Sequence, residues 1–493
     1  MRIITRSCLA VLALAAGLGS VSCSQTTSYG DKIYTGRGSR LVEDLTAVLT
    51  VKNDQGLPVG NARVLIGPRA NVPFPNNLVT TNEEGQIALP ARWNDAQPVT
   101  IEAEGHVTTT YFARTPQAGT LAIKRLPDTR KLQLQGTATG FGDMPSDGKL
   151  DVGLVFPTLT RAQLGTLQIS ALISPETDTL SAVGRSFDLP SNLTVPTQRE
   201  SYIIPITLSK PVYRLPMQTT GSHTISAARA QLPFRQMIDD IRGGRSVMDF
   251  LFEAEMKSIV ARDAAITGES QSLDLPVNEL TLTPTLAVQA PQYDAKYRMT
   301  SLAFSPTGER LMVTDLKRVQ AGERKMLAST GSAAMVLSSL TRADLPASNL
   351  SGVAYDEMSV VTHAADSETP EFLAIPQAPE VRGASLVIHP PAMPAGLAPS
   401  VTYAVLSKVE AFDSGRLRLE SKLPVWEIYA ADWAQVLDLP EMPDARPRPS
   451  GQLRWEVMFG AQVRDQNSRN RVSGPQAFEK ASHVSRSAVD LTN

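Results

Sequence analysis

The 493-residue chain is poor in cysteine, histidine and aromatic residues, and it carries no excess of either charge. It has two cysteines, Cys8 and Cys23, and Cys8 sits inside an apolar N-terminal run. That arithmetic leaves no disulfide framework. The five histidines, His106, His223, His363, His389 and His483, fall at no metal-ligand spacing. None belongs to an H-E-x-x-H, so the helical zinc-peptidase pattern is excluded. A formal charge of −2, with basic residues spread evenly, gives no electrostatic case for nucleic acid. Beyond the N-terminus no apolar run reaches the roughly 20 residues a spanning helix needs. There is no P-loop, no G-x-G-x-x-G after a strand and no G-x-S-x-G. Gly221-Ser222-His223 sets Ser beside His, but sequence neighbours rarely form a nucleophile and base. No catalytic residue and no cofactor is expected, and the chain is expected to be non-enzymatic.

What is present is strand material. Charged residues make up 19% of the chain, below the ordinary globular share, while Thr and Val recur throughout. The 35 prolines and 32 glycines are scattered, which is the pattern of many short strands joined by turns. The length is too great for one core and suggests about three domains. The fold class expected is therefore mainly β: a multidomain chain of antiparallel β-sandwich modules with one short helical insertion near 233–262.

The N-terminus decides the compartment. Arg2 and Arg6 precede an uncharged run, Cys8 to Leu18, of signal-peptide length, followed by the small residues Gly19, Ser20 and Ser22. Ser20-Val21-Ser22-Cys23 resembles the lipobox of bacterial lipoproteins, in which the signal is cut before the cysteine and its thiol is lipidated. The resemblance implies a signal peptide over 1–22, lipidation at Cys23 and anchorage in the outer membrane. An ordinary secretory signal cut near Ser22, with a secreted or periplasmic product, is the alternative. Residues 23–40 are polar and Gly/Ser-rich and read as a flexible tether.

Seven short strands are expected between Leu41 and Pro127. Leu45, Ala47, Leu49 and Val51 alternate with Thr46, Val48 and Thr50, a period of two with one face inward. Asn53-Asp54-Gln55-Gly56 reads as a turn, with Ala62 to Ile66 as the return strand. Strands then follow at 76–81, 86–89, 99–103, 107–113 and 120–126, at the short spacing of a sandwich. Asp54, Gly56, Pro58, Val59, Ala62 and Val64, then Thr81, Asn82, Gly85, Leu89 and Pro90, then Val99 to His106, resemble the carboxypeptidase-regulatory or transthyretin-like module. The resemblance implies a transthyretin/Ig-like sandwich over 41–127 that serves as a spacer or binding surface. Gly85 is expected at a turn with positive φ, and His106 is read as structural.

The remainder divides into a β-rich domain at 131–290, another at 291–394, a C-terminal β domain at 395–465 and a poorly ordered polar tail at 466–493. Within the first of these, SFDLPSNL (186–193) recurs as SLDLPVNEL (272–280), either a duplicated module or coincidental strand ends. Pro233 to Ile241 and Ser246 to Ile259, separated by Gly243-Gly244, are expected to be helical, with Ile241, Val247, Phe250, Leu251 and Met256 in an apolar stripe. Pro306-Thr307-Gly308 is expected to be a hairpin turn rather than part of a propeller repeat. Val401, Tyr403 and Val405 alternate, as do Trp455, Val457 and Phe459, and LPVWEIYAADW carries two core tryptophans.

One acidic cluster stands out. Asp143, Asp147 and Asp151 form a weak calcium candidate, but their spacing of four departs from the alternating ligands of a calcium loop. Asp147-Gly148 before a strand reads as a turn instead. The function expected is that of a non-enzymatic envelope lipoprotein, an adhesion, interaction or structural module. Its partners would be the membrane, through the lipid, and a protein or glycan at the envelope, with no nucleic acid. Two alternatives remain: an extracytoplasmic hydrolase or glycan-binding protein with scattered carboxylates, and a periplasm-facing accessory of an export assembly.

Overall fold

A computed structural model describes residues 47–492, apart from 129–130, 142–148, 168–171, 175, 183–184, 197–208, 234–235, 237–246, 332, 343–353, 365–368, 415–416, 444–450 and 465–473. Cys23 with its signal and tether, Asp143, Asp147 and most of 233–241 lie outside the described residues.

All seven strands expected in the first module are present: β1 (Val48–Asn53), β2 (Arg63–Ile66), β3 (Leu78–Thr80), β4 (Gln86–Ala88), β5 (Gln97–Glu102), β6 (Thr108–Arg114) and β7 (Gly119–Ile123). They form two facing sheets, β4-β1-β7 and β6-β5-β2-β3. Leu49, Val51, Ile87, Leu121 and Ile123 from one sheet share a core with Val64, Ile66, Val99 and Ile101 from the other. The Asn53 side chain accepts from the backbone N–H of Gln55 and Leu57, which fixes the expected turn. The strand after it does not return onto β1, however. β2 crosses to the second sheet and pairs with β3 and β5, leaving β1 between antiparallel β4 and parallel β7.

The second region contains β8 (Leu132–Thr139), β9 (Lys149–Pro157), helix α1 (Arg161–Leu164), β10 (Thr177–Ala182), β11 (Arg185–Pro190), β12 (Leu193–Thr194), β13 (Val212–Met217) and β14 (Gly221–Pro233). It continues with β15 (Glu255–Ile266), β16 (Ser270–Ser272), β17 (Leu275–Pro276) and β18 (Leu280–Thr281). A five-stranded sheet, β12-β9-β14-β15-β18, faces β13-β8-β16. Leu134, Tyr213 and Leu215 meet Val155, Ile225, Ala227 and Val260 between them. The two copies of the recurring motif end in β12 and β18, the opposite edges of one sheet, so they mark two strand ends in a single sandwich. The helix expected to run to Ile259 is corrected: Val247–Phe252 is a 3-10 helix, and from Glu255 the chain is strand. Alternation explains the change, because Ile259 and Ala261 line the large core while Val260 lines the second one.

The third stretch supplies β19 (Thr283–Gln289), β20 (Tyr297–Thr307), β21 (Arg310–Val319), β22 (Arg324–Ser329), β23 (Met335–Arg342) and β24 (Ala354–Ala364). The hairpin expected at Gly308 joins β20 to β21. The last stretch supplies β25 (Glu380–Arg382), β26 (Ser385–Val387), β27 (Leu397–Ser414), β28 (Leu417–Ala430), β29 (Val436–Asp438), β30 (Gln452–Val463), helix α2 (Ala477–Lys480) and β31 (His483–Thr492).

One twelve-stranded sheet ties these stretches to the first module, in the order β21-β20-β23-β24-β31-β30-β27-β28-β6-β5-β2-β3. β28 joins it to β6 by parallel pairing, Trp426↔Thr108 to Ala430↔Phe112. Smaller sheets cover it, β19-β22 over Met299, Ala303 and Val336, and β25-β26-β29 over Trp426, Trp455 and Phe459. The expected loose tail is corrected for its described part. β31 is an interior strand between β24 and β30, with Ser485, Arg486 and Ser487 at most 1% exposed.

Candidate functional site

A dense cluster of buried ionisable groups lies where the first module meets the C-terminal strands. In β28 the alternation of a strand puts Glu427 and Tyr429 on one face and Trp426 and Ile428 on the other. Trp426 and Ile428 fill the core beneath β25-β26-β29. Glu427 faces the opposite interior and is 2% exposed. Register then assembles its neighbours. Tyr403 on β27 stands beside Tyr429, Tyr429 stands beside Tyr111 on β6, and Lys124 follows β7.

Both carboxylate oxygens of Glu427 are engaged. Oε1 accepts from Lys124 Nζ at 2.8 Å and from Tyr403 OH at 2.7 Å, and Oε2 accepts from Tyr429 OH at 3.1 Å. The rings pack in series: Tyr111 on Tyr429 at 5.7 Å, Tyr429 on Tyr403 at 4.9 Å, and Phe478 of α2 edge-on to Tyr403 at 5.8 Å. The Lys124 ammonium also lies 5.4 Å from the centre of the Tyr403 ring. Burial, reinforced by the Glu427 charge, pushes Tyr403 and Tyr429 well above the ordinary phenol range. Burial also raises Tyr111, against the hydrogen bond its hydroxyl donates to the Ala122 carbonyl. The phenols therefore stay protonated and donate.

A second buried carboxylate shares this face. Val405 is opposite both Glu427 and Glu456, so the two flank it, about 10 Å apart by strand spacing. Glu456 is 3% exposed and receives Lys422 Nζ at 2.6 Å. Arg486, opposite Met458, is on the same face. Two carboxylates in one row are what a scattered-carboxylate hydrolase would need. Here, though, each is buried and held by a lysine, which suits a clamp across strands better than an acid and base facing substrate.

The other sequence candidates are dispersed. Asp151, the described member of the calcium candidate, is 1% exposed and accepts from Arg229 and Gln231, each at 3.0 Å. Its oxygens serve the β9–β14 ladder. Among the described residues no three His, Cys, Asp or Glu side chains are grouped to hold a metal. Ser222 and His223 are consecutive on β14 and so point to opposite faces, and the His223 ring bonds the Thr219 carbonyl at 2.9 Å. His106 bonds the Glu104 carbonyl at 2.7 Å beside the β7 end, a structural position. The Glu427 cluster was not foreseen. Its one signal was a lone carboxylate between apolar residues in VWEIYA, on the face that carries Tyr429. Its lysine and second tyrosine come from distant segments that no periodicity connects.

No helix among the described residues is long and apolar enough to cross a membrane. No family model matches the chain, and no curated protein matches it. Among solved structures, a streptococcal ancillary pilin is similar at 9% identity and a TM-score of 0.13, covering 65% of this chain and 96% of that one. A likeness at that score carries no argument about fold or role.

Proposed function

We propose that the chain is a non-enzymatic envelope lipoprotein, anchored through Cys23 and acting as an interaction or structural module. The observation that carries the non-enzymatic part is the use made of its buried charges. Glu427, Glu456 and Asp151 each meet a cation or amide donor and tie strands together. Filled sandwich cores on both sides of a long sheet make a stiff body, the mechanical property a surface or assembly module needs. The lipobox-like Ser20-Val21-Ser22-Cys23 supports the anchor, and the module at 41–127 is read as a carboxypeptidase-regulatory-like spacer.

Fractionation of cells expressing the wild type and Cys23→Ser tests the anchor. The wild type should sediment with outer membranes, and the variant should move to the soluble fraction. Equal partition of both would sink the lipoprotein reading. Protease digestion of intact cells, with lysed cells as the control, then separates an outward-facing adhesion module from a periplasm-facing one.

A further inference from the structure

β1 is the first described strand after the segment that carries Cys23, and its two partners run in opposite senses. β4 is antiparallel to it, Val48↔Ala88 to Thr50↔Gln86, and β7 is parallel, Leu49↔Gly119 to Asn53↔Ile123. Parallel partners start at one end of their ladder and finish at the other. The chain therefore enters β1 at one end and leaves β7 at the opposite end, about 13 Å away by strand rise.

The leaving end is where the first module is fastened to the rest of the chain. Lys124 Nζ reaches Glu427 at 2.8 Å, Arg125 Nη1 donates to the Thr220 carbonyl at 3.0 Å, and the Asp128 N–H donates to the Gln218 carbonyl at 2.7 Å. The β5–β6 turn is tied to the same end. There the Val107 N–H donates to the Lys124 carbonyl and the Leu126 N–H to the Gly105 carbonyl, each at 2.8 Å. The β28–β6 pairing begins beside this turn, at Thr108.

A pull on the N-terminal segment thus reaches β1 at Val48, while the body resists at the far end of β7. Force along the strands strains every bond of the ladder together, because none opens until β1 slides. Force across the strands from one end opens the bonds one after another. β4 adds resistance to sliding, since the Leu89 N–H donates to the Ala47 carbonyl at 3.0 Å and the Val51 N–H to the Gly85 carbonyl at 2.7 Å. Leu49 and Val51 are fully buried, so a slip of β1 also drags them out of the core they share with Ile87, Leu121 and Ile123.

The trailing end of β1 is pinned as well. Asp54 and Arg125 directly follow the last ladder pair, Asn53↔Ile123. Arg125 Nε meets Asp54 Oδ1 at 2.8 Å and Nη2 meets Oδ2 at 3.1 Å, a two-pronged contact that fixes both side chains. We propose that β1 and β7 form a mechanical clamp: tension between the N-terminal segment and the body is taken as shear along their parallel ladder, and the Asp54–Arg125 pair locks its far end. The use of the clamp in a cell rests on the anchor at Cys23. The clamp itself belongs to the fold and is testable on unlipidated protein.

Optical-tweezers lifetimes at constant force test it on the full chain carrying Cys8→Ser, with Cys23 as one handle. The second handle is either Glu104→Cys, in the β5–β6 turn at the leaving end, or Ala118→Cys, just before β7 at the entry end; both positions are exposed. The first pulls along the ladder and the second peels it from one end. The first unfolding event should take at least about tenfold longer with the Glu104 handle, because several bonds must break together rather than singly. Asp54→Ala should shorten the Glu104-handle lifetime by about threefold. It should leave the Ala118-handle lifetime unchanged, since peeling reaches that pair last. Equal lifetimes in the two geometries overturn the clamp, and this comparison needs no change at Asp54. Equal shortening of both lifetimes by Asp54→Ala overturns the lock and makes the pair a general stabiliser. Fractionation of Cys23→Ser decides the anchor separately, so failure of either reading is told from failure of the other.

Discussion

The first module and the C-terminal strands are built from the same kind of element, yet the first is read more fully from the sequence: β27 and β30 show alternation, but β31 reads as a polar tail. In β1 the core positions Leu49 and Val51 alternate with the less buried Thr50 and Lys52, and the turn after it is set by the Asn53 side chain. β27, β30 and β31 are covered on both faces. In β27, Val401, Tyr403 and Val405 enter one core while Ala404 and Leu406 enter another. In β31 the interior positions are filled by Ser485, Arg486 and Ser487, which hydropathy reads as surface. Burial there follows from a place in the sheet, not from side-chain polarity.

The largest test of that comparison is to remove β31. A chain ending at Ser482 would leave β24 and β30 with unpaired backbone at the middle of the twelve-stranded sheet. If the tail were loose, the melt would not change. The position of β31 predicts instead a loss on the order of the whole stability of a domain, about 5 kcal/mol or more. Circular dichroism melts and limited proteolysis of the truncated and full chains would show it. Folding of the truncated chain to the same Tm would return β31 to the status of a tail.

The same contrast explains how much could be read beforehand. The seven strands, the Asn53 turn and the Gly308 hairpin are local, set by residues within four or five positions of each other. The crossing of β2 to the second sheet, the parallel β28–β6 pairing and the Lys124–Glu427 contact join residues hundreds of positions apart in the last two cases, and no window of sequence contains them. The misread helix shows the intermediate case. Phe250, Leu251 and Met256 do fit a helical stripe, but the pairing of β15 with β14 over eleven positions outweighs local periodicity.

The junction between the two regions offers the next test in size. Lys124→Met removes the cation from a carboxylate that stays buried, leaving Glu427 with two phenols. A stranded buried charge costs about 3 kcal/mol, less whatever solvent reaches the half-exposed lysine end. Urea denaturation should show this as a lower midpoint. Glu427→Gln in the same background should recover part of the loss, because the amide needs no counter-charge. Equal stability of Lys124→Met and wild type would mean the pair does not hold the first module to β28.

The smallest effects fall within the first module, where two glycines in neighbouring turns separate conformation from crowding. Gly56 has φ +79 and open space around a Cβ, whereas Gly85 has φ +72 and would place a Cβ 2.5 Å from the Val51 carbonyl oxygen. Ala at either site must hold a left-handed backbone, a cost of about 1 kcal/mol. At Gly85 it must also push β1 away from the turn, adding about 1–3 kcal/mol. Gly85→Ala should therefore lower the urea midpoint clearly more than Gly56→Ala does. If the two were equal, the turn would be set by its dihedral angles alone, and the close approach of Val51 to Gly85 would not be part of what makes this module legible.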